Sequence, residues 1–294
     1  MIQNKIIQTP EFIPSLTTIK NFSNYPLALN FLKNQNFSHF MISAYDLHYL
    51  NYKEEIQTKS DFLFFLDSGA FEIYNQNNSL NWKNEQLLNC IGKFRPDVVV
   101  SLDDINFNVG NRYEDYENYN LLRKRYENTG IFYEFVLQGR NFEEIRLQLD
   151  KFELDKKIFA FCYPERYLGN NFKTRKENLT KILKIIKEEY GFSEILFHLM
   201  GCSYPKFLKQ YSQMGVDLFD GVHWNDSIYD KSKNMLLDFS ELLSINCNCS
   251  YCTQYKVLMK NNLIKAEIQY ELFAFGHNLL MYKELMEEVR IDDG

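Results

Sequence analysis

Three thiols lie within six residues, Cys247, Cys249 and Cys252, spaced C-x-C-x2-C, and His277 follows in Phe275-Gly276-His277-Asn278. Thiolates suit zinc, and structural zinc takes four ligands tetrahedrally, with Cys3His among the standard sets. A closed shell of four leaves no open position for catalysis. The constellation therefore predicts a structural zinc staple that ties a loop to a last helix over 278–290. The remaining cysteines, Cys90, Cys162 and Cys202, are isolated. A disulfide framework is unusual in a cytosolic protein of this size, so the tight cluster points to metal before oxidation.

A second set of residues shares a position rather than a spacing. Several apolar runs finish in polar residues or glycine: Asp67-Ser68-Gly69, Asp103-Asp104, Gln138-Gly139, Gly201 and Asp220-Gly221. Paired carboxylates among them could divide acid–base and nucleophilic work if their surroundings drive their pKa values apart. Such a division needs a scaffold that brings distant strand ends together. Short β-rich runs at 39–43, 62–66, 98–102, 131–137, 158–162, 195–199, 216–219 and 242–245 alternate with helical patterns at 84–94, 113–128, 142–149, 173–190 and 204–214. That alternation predicts parallel strands with crossover helices, and about eight units fit a (β/α)8 TIM-type barrel. In a barrel all these strand ends line the C-terminal mouth, where active sites lie. An open doubly wound sheet is the rival fold. It loses ground because no Gly-rich phosphate turn follows any strand. The expected organisation is a barrel core over 1–246, a zinc-binding insertion over 247–277, and a final helix and tail over 278–294.

Composition narrows the function classes. With 294 residues and 45% hydrophobic content, the chain can bury a sizeable core and is not a disordered polymer. A net charge of −6 argues against charge-driven coating of nucleic acid, although a local basic patch remains compatible with it. No apolar run approaches membrane-spanning length, and the N-terminus lacks the features of a signal peptide. The expectation is a cytoplasmic protein with no membrane partner. Its richness in Asn, Lys, Ile, Tyr and Phe fits an AT-rich genome, including that of a phage or mobile element.

The ordered set of motifs resembles the tRNA-guanine transglycosylase superfamily. Asp67-Ser68-Gly69-Ala70-Phe71 is similar to that family's D-S-G-G-[FY], and Leu102-Asp103-Asp104 to its F-D-E. Val136-Leu137-Gln138-Gly139 is similar to V-Q-G, and Gly215-Val216-Asp217-Leu218-Phe219-Asp220 to G-I-D-x-F-D. The cysteine cluster followed by a His-Asn-Leu helix completes the likeness, which spans roughly residues 60 to 290. The family exchanges guanine for a 7-deazaguanine on a zinc-stapled barrel. By that resemblance Asp220 is the expected nucleophile and Asp67 the general acid/base. Asp103 and Gln138, with Gly139 beside it, would meet the purine edge. Phe71 would stack on its face, and Gly201 would mark a backbone segment closing over the base. A covalent Asp–sugar intermediate suits the chemistry, because one base replaces another without release of an abasic site.

Departures from the family pattern direct the choice of nucleic acid. Ala70 replaces the second Gly of D-S-G-G, and Glu72 replaces a Gln. After Asp220, where tRNA-acting members carry a T-R-x-x-R-type stretch, this chain reads Gly221-Val222-His223-Trp224-Asn225-Asp226-Ser227, without arginine. That difference, with a length short for the tRNA-acting members, makes the chain resemble the DpdA-type 7-deazaguanine DNA transglycosylases of bacteria and phages. The resemblance implies DNA and a free 7-deazaguanine base such as 7-cyano-7-deazaguanine (preQ0) as partners. A DNA-opening protein is a further expected partner. His223 and Trp224 are candidates to stack on a displaced nucleotide, and Arg123, Arg125, Lys173 and Arg175 to contact phosphates. Action on tRNA is one alternative. A non-catalytic nucleic-acid-binding subunit is another, though such a subunit would be free to lose Asp67 or Asp220, and both are present.

Overall fold

The protein is described here from a computed structural model covering residues 7–17, 31–32, 37–49, 63–75, 82, 84–103, 112–139, 141–154, 156–238, 241–261 and 267–292. Eight parallel strands form a closed barrel: β1 (Glu11–Leu16), β2 (His39–Ser43), β3 (Leu63–Asp67), β4 (Val98–Val100), β5 (Phe132–Val136), β6 (Ile158–Pro164), β7 (Leu196–Met200) and β8 (Leu218–Gly221). The expected (β/α)8 architecture is therefore present. Around it run α1 (Ala44–Tyr49), α2 (Ala70–Asn75), α3 (Asn84–Phe94), α4 (Arg112–Tyr126), α5 (Phe142–Leu149), α6 (Phe172–Lys184) and α7 (Pro205–Ser212). Beyond β8 come a one-turn helix α8 (His223–Asp226), an antiparallel hairpin of β9 (Ile228–Asp230) and β10 (Met235–Leu237), α9 (Ser250–Lys260) and the long α10 (Glu267–Asp292).

Strand parity explains which side chains meet inside. Residues two apart share a face. Ile13, Met41, Phe65, Val98, Val100, Val136, Ala160, Cys162 and Leu218 fill the barrel lumen. The alternate positions, among them Phe40, Leu66, Val99, Phe135, Phe161, Leu199 and Phe219, pack outward into the main core shared with the helices. Asp67 is two residues past Phe65 and Asp220 two past Leu218, so parity turns both carboxylates inward at the C-terminal rim.

Two sequence expectations need correction. The segment 242–245, expected as a strand, is a turn whose Leu242 and Ile245 are buried in a small cluster with Ile228, Cys252, Tyr255 and Ala274. Its apolarity serves that cluster rather than the sheet. The missing barrel strand is β1, which is absent from the expected strands and carries Pro14 within it. Pro14 is tolerated because β1 divides its pairing: Glu11 to Pro14 lie against β8, and only Ser15 and Leu16 against β2. The last helix also begins at Glu267 rather than 278, so His277 sits inside it.

Candidate active site

The C-terminal ends of the strands surround a cavity of about 300 Å³, lined by Asp67, Asp103, Asp220, Glu72, Phe71 and Arg166 among others. That lies at the small end of the range for ligand pockets. Two glycines shape the rim. Gly69, with φ +83°, turns the chain after Asp67-Ser68, and a Cβ there would sit 2.6 Å from Tyr45 Cβ. Gly221, with φ +151°, follows Asp220 where a Cβ would fall 2.5 Å from Ser203 Cβ. Both the backbone conformation and the close approach require glycine.

Asp220 accepts hydrogen bonds from two elements, and an imidazole lies beside it. Its Oδ1 accepts from the Gly201 N–H at 2.7 Å, and its Oδ2 accepts from the Ser15 hydroxyl at 2.9 Å. His198 Nε2 lies 3.2 Å from Oδ1. Gly201 supplies its N–H from the turn after β7, with φ +68°. The resemblance led us to expect a backbone segment over the base at Gly201; here its amide is engaged by Asp220.

Burial dominates at the other carboxylates. Burial, reinforced by Glu72, Asp103 and Asp220, raises Asp67 well above the ordinary carboxylate range, against one hydrogen bond from the Gly69 N–H at 3.1 Å. Burial likewise pushes Asp103 up to about 6. Hydrogen bonds from Ser68 Oγ (3.1 Å) and Gln138 Nε2 (2.8 Å) and the charge of Arg166 resist that shift. Asp67 is thus suited to carry a proton while Asp220 is surrounded by donors, the unlike pair that acid–base and nucleophilic roles require.

Glu72 is the fourth carboxylate, buried between Thr17, whose hydroxyl donates to Oε1 at 2.6 Å, and the charge of Asp46. Burial, then Asp46, raises it to about 7. A carboxyl that binds its proton more tightly folded than unfolded contributes stability that is fully present below its unfolded pKa and lost as the pH rises to the folded value. Between pH 5 and pH 8 this group is expected to cost the wild type up to about 3 kcal/mol. Glu72→Gln, which keeps the Thr17 bond, should flatten that part of the profile. Thermal unfolding at the two pH values measures it. A wild-type loss no larger than the variant's would refute the assignment.

The remaining expected site residues divide. Phe71 is 40% exposed at the cavity lip, with the Arg166 guanidinium 5.0 Å from its ring centroid. Gln138 is buried behind Asp103 and spends its amide on it, and neither Gln138 nor Gly139 lines the cavity. His223 does line it, with Nδ1 2.6 Å from Ser203 Oγ. Trp224, expected as a stacking platform for a displaced nucleotide, is instead fully buried. Its indole N–H donates to the Ser15 carbonyl at 3.0 Å, and its ring packs against Phe275, so it offers no face to a nucleotide.

The basic runs also separate. Lys173 and Arg175 open α6 on the mouth side, just after cavity-lining Glu165 and Arg166. Arg175 is tied to Glu165 at 2.5 Å and to the Gly169 carbonyl at 2.7 Å, whereas Lys173 is exposed. Arg123 and Arg125 belong to the last turn of α4, which ends beside Lys157 at the start of β6. That is the barrel face opposite the cavity, so the phosphate-contact expectation fails for this pair. Arg123 there pairs with Glu153. Asp104 lies outside the described residues.

Cys247, Cys249, Cys252 and His277 converge as expected. His277 Nδ1 is 3.6, 3.5 and 3.4 Å from the three Sγ atoms in order, and the four ligand atoms lie within 4.8 Å of one another. A zinc tetrahedron with Zn–S about 2.3 Å and Zn–N about 2.0 Å has S–N edges of about 3.6 Å. The donor set and its dimensions therefore fit zinc. His277 Nε2 lies 2.8 Å from the Tyr229 carbonyl, which can only accept. This places the proton on Nε2 and leaves the Nδ1 lone pair for metal. Neighbouring Asn278 accepts from the Tyr229 N–H and donates to the carbonyls of Trp224 and Ser227. The cluster is thereby braced against the segment that follows Asp220.

Sequence reasoning missed Ser15, Thr17 and Arg166, all of which line the cavity. Ser15 and Thr17 belong to β1 and its exit, and the alternation Ile13–Ser15 would have flagged an inward polar residue had the strand been recognised. Arg166 sits in a short 3-10 turn after β6 and carries no sequence signal.

Residues 164–292 match the family model described as Queuine tRNA-ribosyltransferase. The matched stretch contains Gly201, Asp220 and the whole Cys3His cluster, and excludes Asp67 and Asp103. No curated protein matches the chain. The match supports the tRNA-guanine transglycosylase superfamily, whose members are pentosyltransferases, and guanine transglycosylase chemistry in general. Among the described residues no helix is long and apolar enough to cross a membrane.

Proposed function

We propose that the protein exchanges guanine in DNA for a 7-deazaguanine base such as 7-cyano-7-deazaguanine, through a covalent Asp220–sugar intermediate. The observation that carries this reading is the pairing across one cavity of Asp67, whose proton burial favours, with Asp220, which is met by hydrogen-bond donors. Asp220 Oδ2, which among the described residues accepts from a hydroxyl that can rotate away, attacks C1′. The C1′–N9 bond breaks, its electron pair passes to the departing guanine, and Asp67 supplies the proton. The incoming base then loses its N9 proton to Asp67 and attacks C1′, which releases the Asp220 carboxylate. Asp103, steadied by Ser68 and Gln138, faces the donor-rich purine edge, and Phe71 covers its plane. A zinc ion in the Cys3His cluster would supply folding energy and no chemical step.

DNA is favoured over tRNA by the segment after Asp220, which holds no arginine and folds into a single helical turn. In a duplex the target nucleotide must leave the stack to reach a cavity at the barrel mouth, a step a DNA-opening partner would assist. His223 at the rim and exposed Lys173 are the remaining candidates for contact with it. The printed description of the matching family supports a second reading, action on tRNA.

The two separate in a host that makes 7-cyano-7-deazaguanine but lacks its own tRNA transglycosylase. The protein is expressed there, and DNA and tRNA are digested separately for nucleoside mass spectrometry. The expected result is a deazaguanine deoxynucleoside in DNA. Signal in tRNA alone would replace the DNA reading with the second one. Silence in both pools would favour a non-catalytic binding subunit.

A further inference from the structure

Beneath Asp220, inside the barrel lumen, lies a buried polar chain that the base-exchange steps above do not use. Glu134 on β5 and His198 on β7 are both fully buried. His198 Nδ1 is 3.0 Å from Glu134 Oε2, and its Nε2 is 3.2 Å from Asp220 Oδ1. Cys162 on β6, paired in register with His198, donates its thiol to the same Glu134 oxygen at 3.2 Å. The register of β5 on β6 shifts at Tyr133/Glu134, an irregularity of the kind that re-aims a side chain.

The ring is held between two carboxylate oxygens, each of which can only accept. A neutral imidazole carries one N–H and would turn a lone pair toward one of them. Only the doubly protonated ring presents an N–H to both, as a hydrogen bond to Glu134 and as an ion-pair approach of 3.2 Å to Asp220. We infer that Glu134 and His198 are positioning residues for base exchange: Glu134 fixes an imidazolium in the lumen, and that cation holds Asp220 ionised with Oδ1 anchored and Oδ2 directed at the sugar. This rests on the proposed nucleophilic role of Asp220.

The surroundings agree. Burial by itself would drive His198 toward neutrality, but Glu134 and Asp220 outweigh it and raise the imidazole to about 10. The groups facing the chain are Cys162 from β6, a protonated thiol raised by burial, and the Gly201 N–H and Ser15 hydroxyl at Asp220. Asp67 and Asp103 act on the same region from the ends of β3 and β4.

Two readouts test the inference on the full-length protein. Nitrogen NMR with 15N-histidine, the His198 signal being assigned by its loss in His198→Gln, should show both ring nitrogens protonated at pH 8. Glu134→Gln should bring that titration down toward neutral pH. In base exchange on an oligonucleotide, His198→Gln should lower kcat at least about tenfold with little change in KM for the base. The acid limb of its pH profile should move up by about one to three units, as expected when a carboxylate loses an adjacent cation. Circular dichroism confirms that each variant is folded, and Glu134→Gln supplies a milder disturbance if His198→Gln is not. A neutral His198 at pH 8, or an acid limb unmoved in both variants, would overturn the inference. If the wild type exchanges no base while His198 titrates as a cation, the imidazolium stands and the base-exchange reading falls.

Discussion

Asp220→Asn is expected to lower base exchange on the order of 10⁴-fold, the scale on which nucleophile replacements act in enzymes with covalent intermediates. The reason is specific to the site. An amide cannot offer the anionic oxygen that attacks C1′, and with its oxygen kept on the Gly201 N–H it sets an N–H₂ group in the place of the attacking Oδ2, beside a Ser15 hydroxyl that can turn to accept. The cavity itself should survive, because Met41, Phe71 and Arg166 line it from other elements. Binding of the free base should therefore change much less than turnover. Single-turnover assays with a guanine-containing oligonucleotide measure the rate. A denaturing gel asks whether a protein–DNA adduct accumulates in wild type and is absent from the variant. Retention of a tenth of the wild-type rate, or an adduct that persists in Asp220→Asn, would remove Asp220 from the nucleophilic role.

Loss of the Cys3His cluster should have the second largest effect, and it should reach activity through structure. Structural zinc in a closed shell contributes folding free energy directly. Cys249→Ala or His277→Ala is expected to reduce the metal content from one zinc per chain to none and to cost more than about 4 kcal/mol of stability. Activity should fall with it. The cluster fixes α10, and Asn278, the next residue on that helix, is bonded to Trp224, Ser227 and Tyr229 just beyond the nucleophile strand. Tyr282, one turn further along, donates to the Ser203 carbonyl beside Gly221. Metal analysis, denaturant unfolding and the exchange assay, with and without a chelator, follow the three quantities together. A metal-free protein that stays folded and fully active would defeat the structural reading of the cluster.

What the chain reveals by itself is what short-range spacing encodes. Three thiols within six residues point to a metal site without any knowledge of the fold, because the ligands are local and their chemistry is restrictive, and the four ligand atoms do converge. Strand–helix alternation declares the barrel, since parallel strands demand crossovers. The period of two then places Asp67 and Asp220 on the inner face once the strands are granted. Tertiary structure decided everything that depends on pairing between distant residues. Ser15 reaches Asp220 across 205 positions, from a strand absent from the sequence expectation. Trp224, beside the nucleophile in sequence, is drawn into the core because its indole N–H finds the Ser15 carbonyl. Arg123 and Arg125 point away from the site because a crossover helix ends at the far face of the barrel. Glu134, His198 and Asp220 meet only because three strands bring their inward positions together inside a closed lumen. Local chemistry is written in local sequence. The electric field at a site is a sum over groups that only closure of the barrel brings together.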